Sequence, residues 1–232
     1  MQNIDNVLSV FLGEITQPKK IIHNVPVDEK LLKSGVVNIA HALHNDFDID
    51  QDNKNVISAL FYYFTGNEAQ CEKNMIDLNK GLFVIGNPGS GKSIMMQIFK
   101  IYTGEILKKN SFQYFNSAEI IDEVEVSGIA PLEKFNYNFD GVKPVPITCY
   151  IDDISSKIEK VKHYGTEINV ISELITMRYN IYQRYKKLSH FSSNIYPNEM
   201  TKIYDERIIS RLNEMCNIIE LSGIDRRTVT KY

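Results

Sequence analysis

Gly81-Leu-Phe-Val-Ile85, followed at once by Gly86-Asn-Pro-Gly-Ser-Gly-Lys-Ser93, is the stretch that decides the fold. Five residues of apolar character, bounded by Lys80 and a glycine, read as a short strand buried on both faces. The next eight satisfy the spacing G-x-x-x-x-G-K-[ST]. Ser93 to Leu107 then places apolar residues at helical spacing. A strand, a glycine-rich turn and a helix in that order build a phosphate cradle. The glycines keep Cβ atoms away, so the loop amides can turn toward phosphate oxygens at the positive end of the helix. The spacing assigns Gly86, Asn87, Pro88, Gly89, Ser90, Gly91, Lys92 and Ser93 to binding a nucleoside triphosphate, ATP. Lys92 is expected to reach the β- and γ-phosphates and Ser93 Oγ to ligate Mg2+.

Working outward, the pattern repeats. Phe112 to Asn116, Ile147 to Ile151, Ser189 to Ser193 and Asn217 to Leu221 read as four further strands. Helices are predicted over Ala118 to Val126, Glu167 to Leu188 and Tyr204 to Met215. Residues 127–146, with two Gly and three Pro, read as loop-rich. The alternation predicts a three-layer αβα sandwich around a five-stranded parallel sheet. Upstream, Asn53 to Thr65 reads as a helix stopped by Gly66, with a second short helix in 67–80 and another over Asn3 to Leu12. This divides the chain into a short helical N-terminal arm, 1–52, and an α/β domain, 53–232.

Composition narrows the class. Over 232 residues, 26 Lys and Arg stand against 29 Asp and Glu, so any nucleic-acid contact has to come from a local patch. The apolar runs are too short to span a membrane. The acidic start of the chain lacks the basic region of a signal peptide. Three widely spaced cysteines give no metal spacing and suit a reducing, cytoplasmic setting.

The third strand ends in Asp152-Asp153. An acid at the tip of the strand beside a phosphate loop holds the Mg2+ water shell, a role given to Asp152. Asp153 is assigned to orienting or deprotonating the attacking water. Many such ATPases carry Glu there, one methylene longer. Asn194, at the tip of the fourth strand, fits a sensor of the γ-phosphate. Only six of the basic residues are Arg, none before Arg178. Arg207 and Arg211 share a helix face, and Arg226-Arg227 follow the last strand. Their planar forks suit phosphate oxygens, including those of a neighbouring subunit.

Taken in order, residues 86–93, Ile151-Asp-Asp153, Asn194, Glu206-Arg-Ile-Ile-Ser-Arg-Leu212 and Ser222-Gly-Ile-Asp-Arg-Arg227 resemble the DnaC/DnaI/IstB group of AAA+ ATPases. His163-Tyr-Gly-Thr-Glu167 and Met177-Arg-Tyr179 resemble segments of phage- and mobile-element-type members. The resemblance covers roughly residues 53–228. It implies a P-loop fold of the AAA+ type, Arg211 as a finger acting in trans, and Arg227 as the second sensor with Arg226 as its fallback. It also implies ATP hydrolysis, ATP-dependent self-association, and a role as helicase loader in DNA replication. The expected partners are a replicative helicase or a transposase, and single-stranded DNA. The alternative is a nucleotide-gated adaptor or transposition helper with little intrinsic hydrolysis. A DNA-contacting insert is expected near 117–146, where Lys134, Phe135, Tyr137, Phe139 and Lys143 interleave basic and aromatic groups. Cys71 is the one cysteine before the loop, so the zinc module of some loaders is not expected here.

Overall fold

The computed structural model describes residues 35–226 apart from 46, 110, 140, 142, 156–158, 164 and 224. Its centre is a five-stranded parallel sheet of β1 (Gly81–Ile85), β2 (Gln113–Asn116), β5 (Cys149–Ile154), β8 (Ser189–Ser193) and β9 (Cys216–Glu220), in the order β2-β5-β8-β1-β9. All five match predicted strands within a few residues.

Alternate residues of each strand serve opposite faces. Phe83 and Ile85 face a core closed by α5 (Ser117–Ser127), α6 (Val170–Tyr185) and α8 (Glu206–Met215). Leu82 and Val84 face a second core closed by α1 (Val36–Leu43), α2 (Lys54–Thr65), α3 (Glu68–Lys73) and α4 (Lys92–Ile101). This is the three-layer sandwich. Val36 and Ala40 of α1 are buried in that second core, packing the end of the N-terminal arm onto the sheet. The helix expected over Asn3 to Leu12 lies outside the described residues.

Two expectations change. The helix expected from Glu167 begins at Val170, because residues before it form an antiparallel hairpin, β6 (Lys160–His163) and β7 (Thr166–Asn169). Val161 is buried and Ile168 half-buried, while Lys160, Lys162 and Glu167 are exposed. That is period-two patterning, and Gly165 at φ 83° makes the turn. Asn169 then caps α6 by accepting from Ser172 N at 2.9 Å. The loop-rich segment 127–146 also has structure, a 3-10 turn over Ala130–Phe135 and a hairpin of β3 (Tyr137–Phe139) and β4 (Pro144–Pro146). A four-residue α7 (Pro197–Met200) precedes α8.

Candidate nucleotide site

All five strands end on one edge of the sheet, where open α/β folds place their sites. The loop 86–93 leaves β1 there. A Cβ at Gly86 would sit 2.1 Å from the Leu221 carbonyl oxygen, and one at Gly89 would sit 1.8 Å from Asp225 Oδ1. Both positions have positive φ; at Gly86 the fixed Leu221 backbone also leaves no room for a Cβ, whereas at Gly89 the neighbour is a rotatable side chain and the backbone conformation is what calls for glycine.

Lys92 opens α4 and is 6% exposed. Its ammonium donates to the carbonyls of Gly86 (2.8 Å) and Asn87 (3.0 Å) and to Asn194 Oδ1 (2.6 Å). Asn194 in turn donates through Nδ2 to Asp153 Oδ1 at 2.6 Å. The phosphate-loop lysine, the sensor asparagine and the second acid thus form one hydrogen-bonded chain. The expected residues Lys92, Asp153 and Asn194 meet in space from three separate strand ends.

Asp153 adopts φ 60°, unusual for a residue with a side chain. The β5–β8 register shifts between Ile151 and Ile154, so both acids drop out of that pairing while Asp152 stays in register with Asn116 of β2. Asp153 N donates to Ser192 Oγ (2.8 Å), and its carbonyl accepts from Ser117 Oγ (2.7 Å). The strained turn is therefore held from both sides.

Asp152 is 4% exposed and takes three hydroxyl donors. Tyr150 (2.6 Å) and Ser192 (2.5 Å) donate to Oδ1, and Tyr114 donates to Oδ2. A buried carboxylate has to find such donors. Burial and the Asp152 carboxylate push both tyrosine hydroxyls above their ordinary range. Ser93 and Asp152 are hard oxygen donors of the kind Mg2+ takes, one or two from protein with water and phosphate completing the shell. Among the described residues no group of three or more His, Cys, Asp or Glu forms a metal cage. Two hard oxygen donors suit Mg2+ that arrives with a phosphate substrate.

The outer wall of the loop is tied down by the segment after β9. Asn87 Nδ2 donates to the Gly223 carbonyl (3.3 Å), Arg226 N to Gly89 O (3.1 Å) and Arg226 Nε to Ser90 O (3.2 Å). The Arg226 guanidinium forks onto both oxygens of Asp50, just before α2. That bond holds the Asp50 carboxyl below its usual range. Arg226 is thus engaged by Asp50 and loop carbonyls. Arg227 lies outside the described residues.

The helix arginines stand apart from this cluster. Arg211 donates to Thr176 Oγ1 at 2.7 Å and stacks over Tyr179, both on α6. Arg207 is exposed near the start of α8. Of the expected insert residues, Lys134 pairs with Glu123 at 2.5 Å and lies over Phe135, which is buried, whereas Phe139 is exposed on its hairpin. Sequence reasoning missed Tyr114, Tyr150 and Ser192. For Tyr150 and Ser192 the signal was a polar atom in a strand buried on both faces, which has to be satisfied by something equally buried; Tyr114, on the half-buried edge strand, carried no such signal.

No protein-family model and no curated protein matches the sequence. Solved structures do. The DnaC helicase loader superposes with a TM-score of 0.52 at 15% identity, over 84% of this chain and 99% of that one. A putative primosome component from Streptococcus pyogenes serotype M3 gives 0.53 at 19% identity, over 79% and 87%. AMPPCP-bound DnaA from Aquifex aeolicus gives 0.48 at 15% identity, over 76% and 49%. At these identities the likeness is one of fold. The architecture is the fold shared with the helicase loader and the primosome component, with the five-stranded parallel sheet expected from the sequence. No helix among the described residues is long and apolar enough to cross a membrane.

Proposed function

We propose that the chain is an Mg2+-dependent ATPase of the AAA+ type that assembles on ATP and loads a replicative helicase onto single-stranded DNA. The observation that carries the ATPase part is the chain Lys92–Asn194–Asp153 behind a complete phosphate loop. Lys92 would exchange its loop carbonyls for β- and γ-phosphate oxygens, and the loop amides would hold the rest. Asn194 would then be free to face the γ-phosphate, and Asp153 to take a proton from the attacking water. Ser93 and Asp152 would hold Mg2+, which neutralises charge on the transferred group.

Assembly needs a cation from the neighbouring subunit. Arg211 is the residue named by the family resemblance, and to reach outward it has to leave Thr176 and Tyr179. Arg207, exposed one turn earlier, needs no such release. The loader role rests on the sequence resemblance together with a fold shared with a helicase loader.

The second reading is a nucleotide-gated adaptor with little turnover. It is favoured by the short side chain of Asp153 and by its 2.6 Å engagement with Asn194. The two separate in one experiment, ATP turnover with and without single-stranded DNA alongside mass by light scattering. DNA-stimulated turnover with ATP-dependent growth supports the loader. Tight ATP binding without either supports the adaptor. Arg211→Ala and Arg207→Ala, run in parallel, assign the finger. The correct one loses turnover while the monomer still binds ATP.

A further inference from the structure

Tyr114 stands on β2, the edge strand of the sheet, in register with Tyr150 of β5. The register puts both rings on the face covered by α2 and α4, 5.3 Å apart between centroids. Asp152, two residues beyond Tyr150, points to the same side. Its Oδ1 already takes two donors, Tyr150 and Ser192. Its Oδ2 takes the Tyr114 hydroxyl. One hydroxyl from the edge strand therefore holds the oxygen of Asp152 that Tyr150 and Ser192 leave open.

We propose that Tyr114 is a positioning residue of the cation site, fixing the Asp152 carboxylate through the hydrogen bond it donates to Oδ2. The proposal rests on reading residues 86–93 as an ATP·Mg2+ site. A phenol has one proton and acceptor lone pairs. The proton is committed to Asp152 Oδ2. That bond fixes the rotation of the Asp152 carboxylate, whose other oxygen is fixed by Tyr150 and Ser192. Outer-shell partners that orient ligands in this way typically change metal affinity 10- to 100-fold when removed. A ring that merely packed against Tyr150 would leave metal affinity alone when only its oxygen is lost.

Tyr114→Phe keeps the ring and deletes the oxygen. The probe is Mn2+, followed by electron paramagnetic resonance in the presence of a non-hydrolysable ATP analogue. The affinity of the analogue itself is measured in EDTA. The expected result is a loss of about tenfold in Mn2+ affinity, with analogue affinity in EDTA unchanged within about twofold of wild type. Mn2+ affinity equal to wild type overturns the proposal, as does an equal loss of analogue binding with and without metal. Tyr114→Met, which fills most of the space without a hydroxyl, gives the same readout if the phenylalanine variant does not fold. A wild-type chain that binds no analogue in either condition overturns the ATP reading itself, a result distinct from a metal-specific null.

Discussion

Lys92 and Arg178 are both buried cations, and they sit at opposite ends of one sheet. Lys92 follows the C-terminal end of β1 and donates to two loop carbonyls and the amide oxygen of Asn194. Arg178, fully buried on α6, lies under the opposite end. It donates to Ser189 Oγ (2.7 Å) and to the carbonyls of Ile147 (2.8 Å), Leu188 (3.0 Å) and Asn136 (3.5 Å). The difference lies in the acceptors. Those of Lys92 belong to a glycine-rich loop and a rotatable side chain, so phosphate oxygens can replace them. Three of the four acceptors of Arg178 are carbonyls, two of them fixed by the starts of β5 and β8, where no phosphate can take their place. Burial of a charge does not mark a functional residue. Exchangeable partners do.

The sharpest way to break this contrast is Arg178→Met. The substitution roughly fills the volume but orphans two or three buried carbonyls, at about 1–3 kcal/mol each. The expected loss is about 3–5 kcal/mol, read as a lower urea midpoint at unchanged slope. A loss below about 1 kcal/mol would mean that the strand starts do not depend on the guanidinium. Lys92→Met should do the reverse. Asn87 is exposed, so water can reach the loop, and the expected stability change is within about 1 kcal/mol. ATP affinity should fall about 100-fold, the worth of one to two charge-assisted hydrogen bonds to phosphate. Unchanged affinity would sink the phosphate-site assignment.

The same contrast explains what was legible in the sequence. The functional end announces itself, because phosphate chemistry needs glycines, a lysine and acids at fixed spacing and strand tips. Residues 86–93, Asp152, Asp153 and Asn194 could be read that way, and their convergence follows from parallel strands ending on one edge. The supporting end does not announce itself. Arg178 satisfies carbonyls at 147 and 188, and Arg226 reaches Asp50 across 176 residues. No local pattern encodes either. Tyr114, Tyr150 and Ser192 look like ordinary strand residues until the register brings their hydroxyls to one carboxylate. The hairpin at 160–169 was hidden for another reason. Its apolar Ile168 runs into Val170 and Ile171, so a helical period reads straight through the Asn169 cap.

His190 gives a finer test of how far the charge of Arg178 is felt. Its imidazole is buried among Tyr63, Phe64 and Phe112, and Nδ1 accepts from Leu82 N at 3.1 Å. Burial, and then the nearby Arg178 charge, push it down to about 3 from an ordinary 6.5. Between those values the unfolded chain binds a proton that the folded chain refuses. Stability from this group is therefore complete above about pH 6.5 and lost as pH falls, at a limiting slope of about 1.4 kcal/mol per unit. His190→Gln keeps an acceptor for Leu82 N and removes the titration. Between about pH 7 and about pH 5.5, wild type should lose about 1 kcal/mol more than this variant in urea unfolding. In Arg178→Met the charge that helps depress the imidazole is gone, so the His190 contribution to the slope should weaken at the acid end. If His190→Gln followed the wild-type curve throughout, the imidazole would be reaching solvent, and the supporting end of the sheet would be far looser than its hydrogen bonds imply.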